Sequence, residues 1–156
     1  TLRTSLGEIV EIPVRANNVL PIPIEPPLSP SAWLIGENVT GYCATGVAPA
    51  DVMSAPIPTV QKLWKMNNRE GEKDYDLYEH NEAFASASLG VMQGLHLKHE
   101  KLNVNGGAVA MGHPLGASGC RIVLALIHAL RQSGGRRGFA TACLGGGMAT
   151  AIELEI

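Results

Sequence analysis

The stretch NVNGGAVAMGHPLGASGC, residues 103–120, decides how the rest of the chain is read. A short apolar and Asn-rich lead runs into Gly106 and Gly107. Gly112, His113, Pro114 and Gly116 then turn the chain, and a long apolar helix pattern follows. Proline fixes its own φ, and glycine lets a backbone come close to a neighbour, so His113 sits in a rigid turn that a ligand can approach. An imidazole held there is suited to act as a base near neutral pH.

Downstream of the turn, a helix is expected from Gly116 onward. Its residues 122–130 are apolar at every position but His128, a pattern that belongs inside a layered structure or beneath a second subunit. Gly134 and Gly135 end it. Residues 139–144 read as a strand, Gly145-Gly146-Gly147 as a turn, and Met148, Thr150, Ile152, Leu154 and Ile156 as one face of a final strand. Upstream, residues 102–105 read as a strand. Asn81-Glu82-Ala83-Phe84 opens a helix on which Phe84, Ala87, Val91 and Leu95 share a side. Before it come a short alternating strand over residues 75–79, a polar turn over 67–73, and a helix with Val60, Leu63 and Trp64 on one face and Lys62 and Lys65 leaving it. Loops at 46–49 and 54–58 lead into that helix, and residues 32–44 read as a bent strand or strand pair interrupted at Gly36-Glu37-Asn38. The order is strand, helix, strand, helix, strand, helix, strand, strand: an α/β fold with a mixed sheet. Residues 1–30 carry six prolines among apolar residues and read as an extended Pro-rich arm, which either lies against another surface or serves as a tether.

Composition narrows the function classes. A chain of 156 residues is one domain by length and buries roughly 70% of its unfolded surface. A formal net charge of −2 and the lack of a basic stripe argue against nucleic acid as a partner. Arg131, Arg136 and Arg137 make only a small basic spot, read as solvated surface. No apolar run reaches the ~18–20 residues of a membrane span. No secretory signal is visible, and three cysteines, an odd number, do not form a disulfide framework, so a cytoplasmic or otherwise reducing setting with free thiols is expected. His96 and His99 lie three residues apart, but without a third ligand they read as solvated.

Three loops place polar groups beside glycine or at a helix start: Asn81-Glu82, Gly112-His113-Pro114, and Cys143 ahead of three glycines. In an open α/β sheet, ligands gather outside strand ends and at helix N-termini, where all three can converge. A thiol beside an imidazole points to thiolate chemistry, and glycine amides to a hole for a developing oxyanion.

The segments NEAFA (81–85), NVNGGAVAMGHPLGASG (103–119) and ATACLGGGMATAIELE (140–155) resemble the C-terminal domain of the thiolases, enzymes that cleave or form 3-ketoacyl-CoA. The looser loops at 46–49 and 55–58 also look like that family. The resemblance spans residues 31–156 and implies a thiolase-type C-terminal domain, a mixed central sheet with helices on both faces, forming half of a five-layer αβαβα arrangement. It implies that His113 activates a nucleophilic cysteine and joins the oxyanion hole, and that Asn81 holds a water completing that hole. Cys143 would exchange the proton at C2 of the acetyl group, and the Gly145 N–H would stabilise the tetrahedral intermediate. Gly112, Pro114, Phe84 and Gly146 are expected to touch substrate. Coenzyme A and acyl-CoA enter as substrates; no metal and no tightly bound cofactor is called for.

Family thiolases have two similar halves, and the acylated cysteine belongs to the N-terminal half, which this sequence lacks along with most of the insertion that grips CoA. Cys43 and Cys120 read as small core residues rather than substitutes. His80, where the family is usually apolar, reads as a surface histidine or as a polar contact to substrate or partner. The leading expectation is therefore the C-terminal-domain subunit of a split two-chain thiolase of fatty-acid metabolism. Its companion subunit would supply the nucleophilic cysteine, in a heterotetramer. The rival is a non-catalytic thiolase-like module for acyl-CoA binding or assembly. A fragment of a conventional enzyme is a third possibility.

Overall fold

The computed structural model describes Leu2–Arg3, Ile9–Val10 and residues 39–156. The proposed arm and the first part of the strand expected over 32–44 therefore lie outside the described residues. The exceptions are β1 (Leu2–Arg3) and β2 (Ile9–Val10), which pair antiparallel. Besides 3₁₀ turns at Pro49–Ser54, Glu72–Asp74 and His99–Lys101, the remaining elements are β3 (Val39–Gly46), α1 (Pro56–Met66), β4 (Leu77–His80), α2 (Ala85–Gly94), α3 (Ala108–Met111), α4 (Ser118–Ser133), β5 (Arg137–Leu144) and β6 (Met148–Glu155). The four longer strands lie in the order β3-β6-β5-β4. Only β4 and β5 are parallel; β5 with β6 and β6 with β3 are antiparallel, so the sheet is mixed as expected.

The sheet is covered on both faces because its strands alternate apolar side chains to each side. On one face Phe139, Tyr78, Tyr75 and Ala151 meet Val60 and Leu63 of α1 and Val91 of α2. Aromatic rings fill this layer: Tyr75 meets Phe139 edge-on at 5.0 Å, and Tyr78 stacks on it at 5.3 Å. On the other face Leu77, Ala140 and Leu154 meet Ile122, Leu126 and Leu130 of α4. The face of β6 read from its alternation, with Ile152, Leu154 and Ile156, is the one turned to α4. The opposite face of β6 carries Glu153, fully buried. Its carboxylate accepts from Arg69 at 2.7 Å and Thr40 at 2.8 Å, and from the Tyr75 hydroxyl.

Several sequence expectations are corrected. α1 starts at Pro56, inside the stretch read as a loop, because proline is tolerated where a helix has no partner for its first N–H groups. β4 does not alternate between core and solvent. All four of its residues are buried, since α4 covers Leu77 while α1 and α2 cover Tyr78 and His80. α2 starts at Ala85 rather than Asn81, and Phe84, read as part of its buried side, is 58% exposed. Residues 102–105 do not form a strand. Leu102 makes a single parallel bridge to Tyr78, and then Asn103 turns the chain at φ 50°. The Asn103 side chain accepts the His80 N–H at 2.8 Å, the bond a continuing strand's carbonyl would have made. α4 starts at Ser118 and buries one stripe, with Val123, Leu124 and Ala125 half-buried, so it is less enclosed than its composition implied. Gly134 in the left-handed region caps it, as expected. Finally, Arg137 is not simply solvated: half-buried, it donates to Glu155 at 3.0 Å, while Arg131 and Arg136 are exposed.

Candidate active site

The topology brings the three polar loops to one end of the sheet. β4 and β5 run parallel, so their C-terminal ends lie side by side, and the Asn81 N–H extends their ladder by donating to the Thr141 carbonyl at 3.0 Å. That puts Asn81 just past β4 and Cys143 near the end of β5. The N-terminus of α4 arrives at the same place with the turn that carries His113. Asn81, His113, Cys143 and Gly145 all line one cleft of about 560 Å³. Of the four residues expected to touch substrate, Gly146 lines it; Gly112, Pro114 and Phe84 do not, although Ala83, the neighbour of Phe84, does. Val52 and Met53, in the 3₁₀ turn after β3, form part of the wall.

Hydrogen bonds orient the central pair. Ser118, buried in the first turn of α4, donates its hydroxyl proton to the Pro114 carbonyl at 3.0 Å. A hydroxyl has one proton to give, so at 2.7 Å from His113 Nδ1 it accepts. The His113 proton is thereby assigned to Nδ1, which leaves Nε2 as the ring's acceptor. The Asn81 amide lies against this ring, with Nδ2 at 3.3 Å from Nε2 and 3.4 Å from Nδ1. Arg121 of α4 settles which way that amide faces: it donates to Asn81 Oδ1 at 3.2 Å and also to the Gly112 carbonyl. Asn81 Nδ2, a donor only, therefore points at the imidazole.

The two thiols of the cleft differ. Burial raises the Cys143 pKa above the ordinary thiol value, so at neutral pH it carries its proton and is able to donate it. Cys120 lines the same cleft and is exposed, which corrects its reading as a core residue. Cys43 is a core residue as expected: 2% exposed, with its thiol donating to the Thr59 carbonyl at 3.0 Å.

Sequence reasoning missed Ser118 and Arg121, which orient the pair. Their signal was present: both fall in the first turn of the helix that directly follows the His113 loop, where side chains face back over that loop. It also missed Glu79, 2% exposed on the α4 side of β4 with Oε2 unpartnered. Desolvation raises its pKa to about 8, opposed by the Arg121 charge. The sign follows from linkage. The folded chain holds this proton where the unfolded chain has lost it, so the contribution is present below about 4.5 and lost as pH rises through about 8. Glu79→Gln is expected to flatten the fall in stability across that window, read by urea unfolding at a series of pH values. A variant with the same slope as the parent would refute a proton held on Glu79. His80 is fully buried rather than on the surface. Among the described residues, no group of three or more His, Cys, Asp or Glu side chains is placed to hold a metal ion, and no helix is long and apolar enough to cross a membrane.

Comparison with known proteins matches this chain to a family. The family model described as "Thiolase, C-terminal domain" covers residues 35–156. An acetyl-CoA acetyltransferase of Chromobacterium violaceum is 44% identical over 117 residues, covering 75% of this chain and 30% of that protein. The cytosolic acetyl-CoA acetyltransferase of Mus musculus is 43% identical over 123 residues, covering 76% of this chain and 30% of its own length. The crystal structure of human mitochondrial 3-ketoacyl-CoA thiolase superposes with a TM-score of 0.72 at 43% identity, over 75% of this chain and 29% of that one. The chain thus spans about 30% of the length of the curated relatives it matches. The chain belongs to the thiolase family, and residues 35–156 are a thiolase C-terminal domain.

Proposed function

We propose that this chain supplies the C-terminal half of an acyl-CoA thiolase site, working on 3-ketoacyl-CoA such as acetoacetyl-CoA by reversible Claisen chemistry. The observation that carries this reading is the shared cleft: Asn81 is held against the His113 ring, and Cys143 and Gly145 line the same cleft. A partner polypeptide with the N-terminal half supplies the nucleophilic cysteine. His113 Nε2 takes that thiol's proton, and the thiolate attacks the substrate's 3-keto carbon. The C2–C3 bond breaks, C2 takes a proton from Cys143, and acetyl-CoA leaves while the shortened acyl group stays on the partner's cysteine. The thiol of a second CoA then accepts that acyl group. An enolate at C2 is reachable only if its oxygen is stabilised; His113 and the water held by Asn81 serve the thioester oxygen, and the Gly145 N–H serves the tetrahedral intermediate. CoA and acyl-CoA are substrates, and no metal or tightly bound cofactor takes part. The assembly is a heterotetramer of two such pairs, in the cytoplasm, in fatty-acid metabolism.

The test is purification from the source, with an assay of acetoacetyl-CoA cleavage by CoA and identification of every co-eluting chain. Activity that tracks a separate cysteine-bearing N-terminal-type chain supports the whole reading. Activity on one longer polypeptide keeps the chemistry and removes the two-chain arrangement. An inactive protein that still binds acyl-CoA leaves the binding module instead.

A further inference from the structure

We infer that His80 is a positioning residue: its Nδ1 is the acceptor that holds Glu82, and with it Asn81, in register against the segment leading to His113. The inference rests on the roles given to Asn81 and His113 under the proposed function, but its geometry stands apart from them. His80 is fully buried on the α2 side of β4, immediately before Asn81. Its Nδ1 is 3.3 Å from the Glu82 N–H and 2.6 Å from the Ser88 hydroxyl of α2. A backbone N–H only donates, so Nδ1 carries a lone pair and the ring proton resides on Nε2. Nε2 is buried without a partner, and burial pulls the pKa of the ring down to about 4, so the imidazole is neutral across the working range of any thiol chemistry. An apolar side chain here would avoid the orphaned Nε2–H. It would also leave the Glu82 N–H and the Ser88 hydroxyl without this acceptor.

The Glu82 bond matters because Glu82 sits at φ 57°, a left-handed conformation that a non-glycine residue keeps only when its surroundings hold it. Residues 80–82 are stitched to residues 103–109 across this turn. The His80 N–H donates to Asn103 Oδ1 at 2.8 Å, the Ala108 N–H to the Asn81 carbonyl at 3.3 Å, and the Val109 N–H to Glu82 Oε2 at 3.1 Å. The Gly107 backbone passes close enough to Glu82 that a side chain at position 107 would collide with it. α3 begins at Ala108 and ends one residue before Gly112-His113. Releasing Glu82 therefore loosens both members of the Asn81–His113 pair at once.

Two variants separate this role from simple core filling. His80→Asn places Oδ1 where Nδ1 was and keeps the acceptor; His80→Leu keeps bulk and removes it. In the protein purified with whatever polypeptide accompanies it, His80→Leu is expected to lower kcat about 10- to 100-fold with KM for acyl-CoA nearly unchanged, because the loss is one of orientation at the reacting groups. His80→Asn is expected to recover most of it. If His80→Leu does not fold, His80→Gln replaces it, since its carboxamide reaches the Nε2 position and leaves the Glu82 N–H unmet. A readout without activity uses ¹⁵N NMR of the imidazoles and side-chain amides. His80 should show the Nε2–H tautomer, and the Asn81 and His113 signals should move in the variant lacking the acceptor and return in His80→Asn. A parent protein without thiolase activity would remove the proposed function, while the NMR comparison still decides the role of His80. An Nδ1–H tautomer, unmoved Asn81 and His113 signals in the variant lacking the acceptor, or His80→Asn failing alongside it overturns the inference.

Discussion

Under the proposed function, His113→Ala is expected to lower kcat by about 10²- to 10⁴-fold, the range contributed by one positioned acid–base group. The physical reason lies in the tautomer. Ser118 takes the Nδ1 proton at 2.7 Å, so Nε2 is the nitrogen available to accept a thiol proton, and no other described imidazole lines the cleft. Cys143→Ala should behave differently. Its thiol, with a pKa raised by burial, is suited to give and take the C2 proton but not to carry the acyl group. Two assays separate the roles: exchange of the C2 hydrogens of acetyl-CoA with solvent, and transfer of the acetyl group of acetyl-CoA to the nucleophilic cysteine, a step that leaves C2 untouched. Cys143→Ala should abolish exchange and retain acylation, whereas His113→Ala should lose both. Acylation lost equally in the two variants would show that Cys143 acts before C2 chemistry, against the roles proposed.

Glu153→Ala is expected to cost about 3 kcal/mol of stability, at the lower end for breaking a buried ion pair because Arg69 keeps some contact with water. The mutation removes the acceptor for Arg69, Thr40 and Tyr75 together and leaves a guanidinium and a phenol facing a hole in the sheet. Burial by itself would raise the Glu153 pKa; the hydrogen bonds from Arg69 and Tyr75 outweigh it and leave the value lowered. A depressed carboxylate contributes stability that is fully present above the unfolded value of about 4.3 and is lost as pH falls through the folded value. Urea unfolding of the parent should therefore weaken as pH drops below about 4.3, and Glu153→Gln should remove part of that acid sensitivity. Equal acid slopes in both proteins would mean that Glu153 is not held ionised. Glu79 acts in the opposite direction at higher pH, so each acid is measured in its own single variant.

The fold class and most of the candidate site were legible in the sequence, because both rest on local rules. Period-two alternation marks β6 and period-3.6 spacing marks α1; Gly134 stops α4; the GHP turn and the triple glycine announce where backbone can meet a ligand. His113, Cys143 and Gly145 were each found beside such a signal, whereas Asn81 was read as opening a helix that in fact begins at Ala85. Tertiary structure decided matters that depend on partners distant in sequence. Residues 102–105 carry strand-like residues, yet Asn103 turns away and spends its side chain on His80. His80 looks like a surface residue until α2 closes over it, and Cys120 looks like core until α4 turns it toward the cleft. Glu153 lies on the face of β6 away from α4, and its burial depends on partners as far off as Arg69, 84 residues away, together with Thr40 and Tyr75. The sequence by itself determined the elements, their order and the residue types at the loops, because these follow from propensity and periodicity along the chain. The folded structure alone decided which buried polar atoms find partners, because that depends on which segments the sheet brings within hydrogen-bond reach.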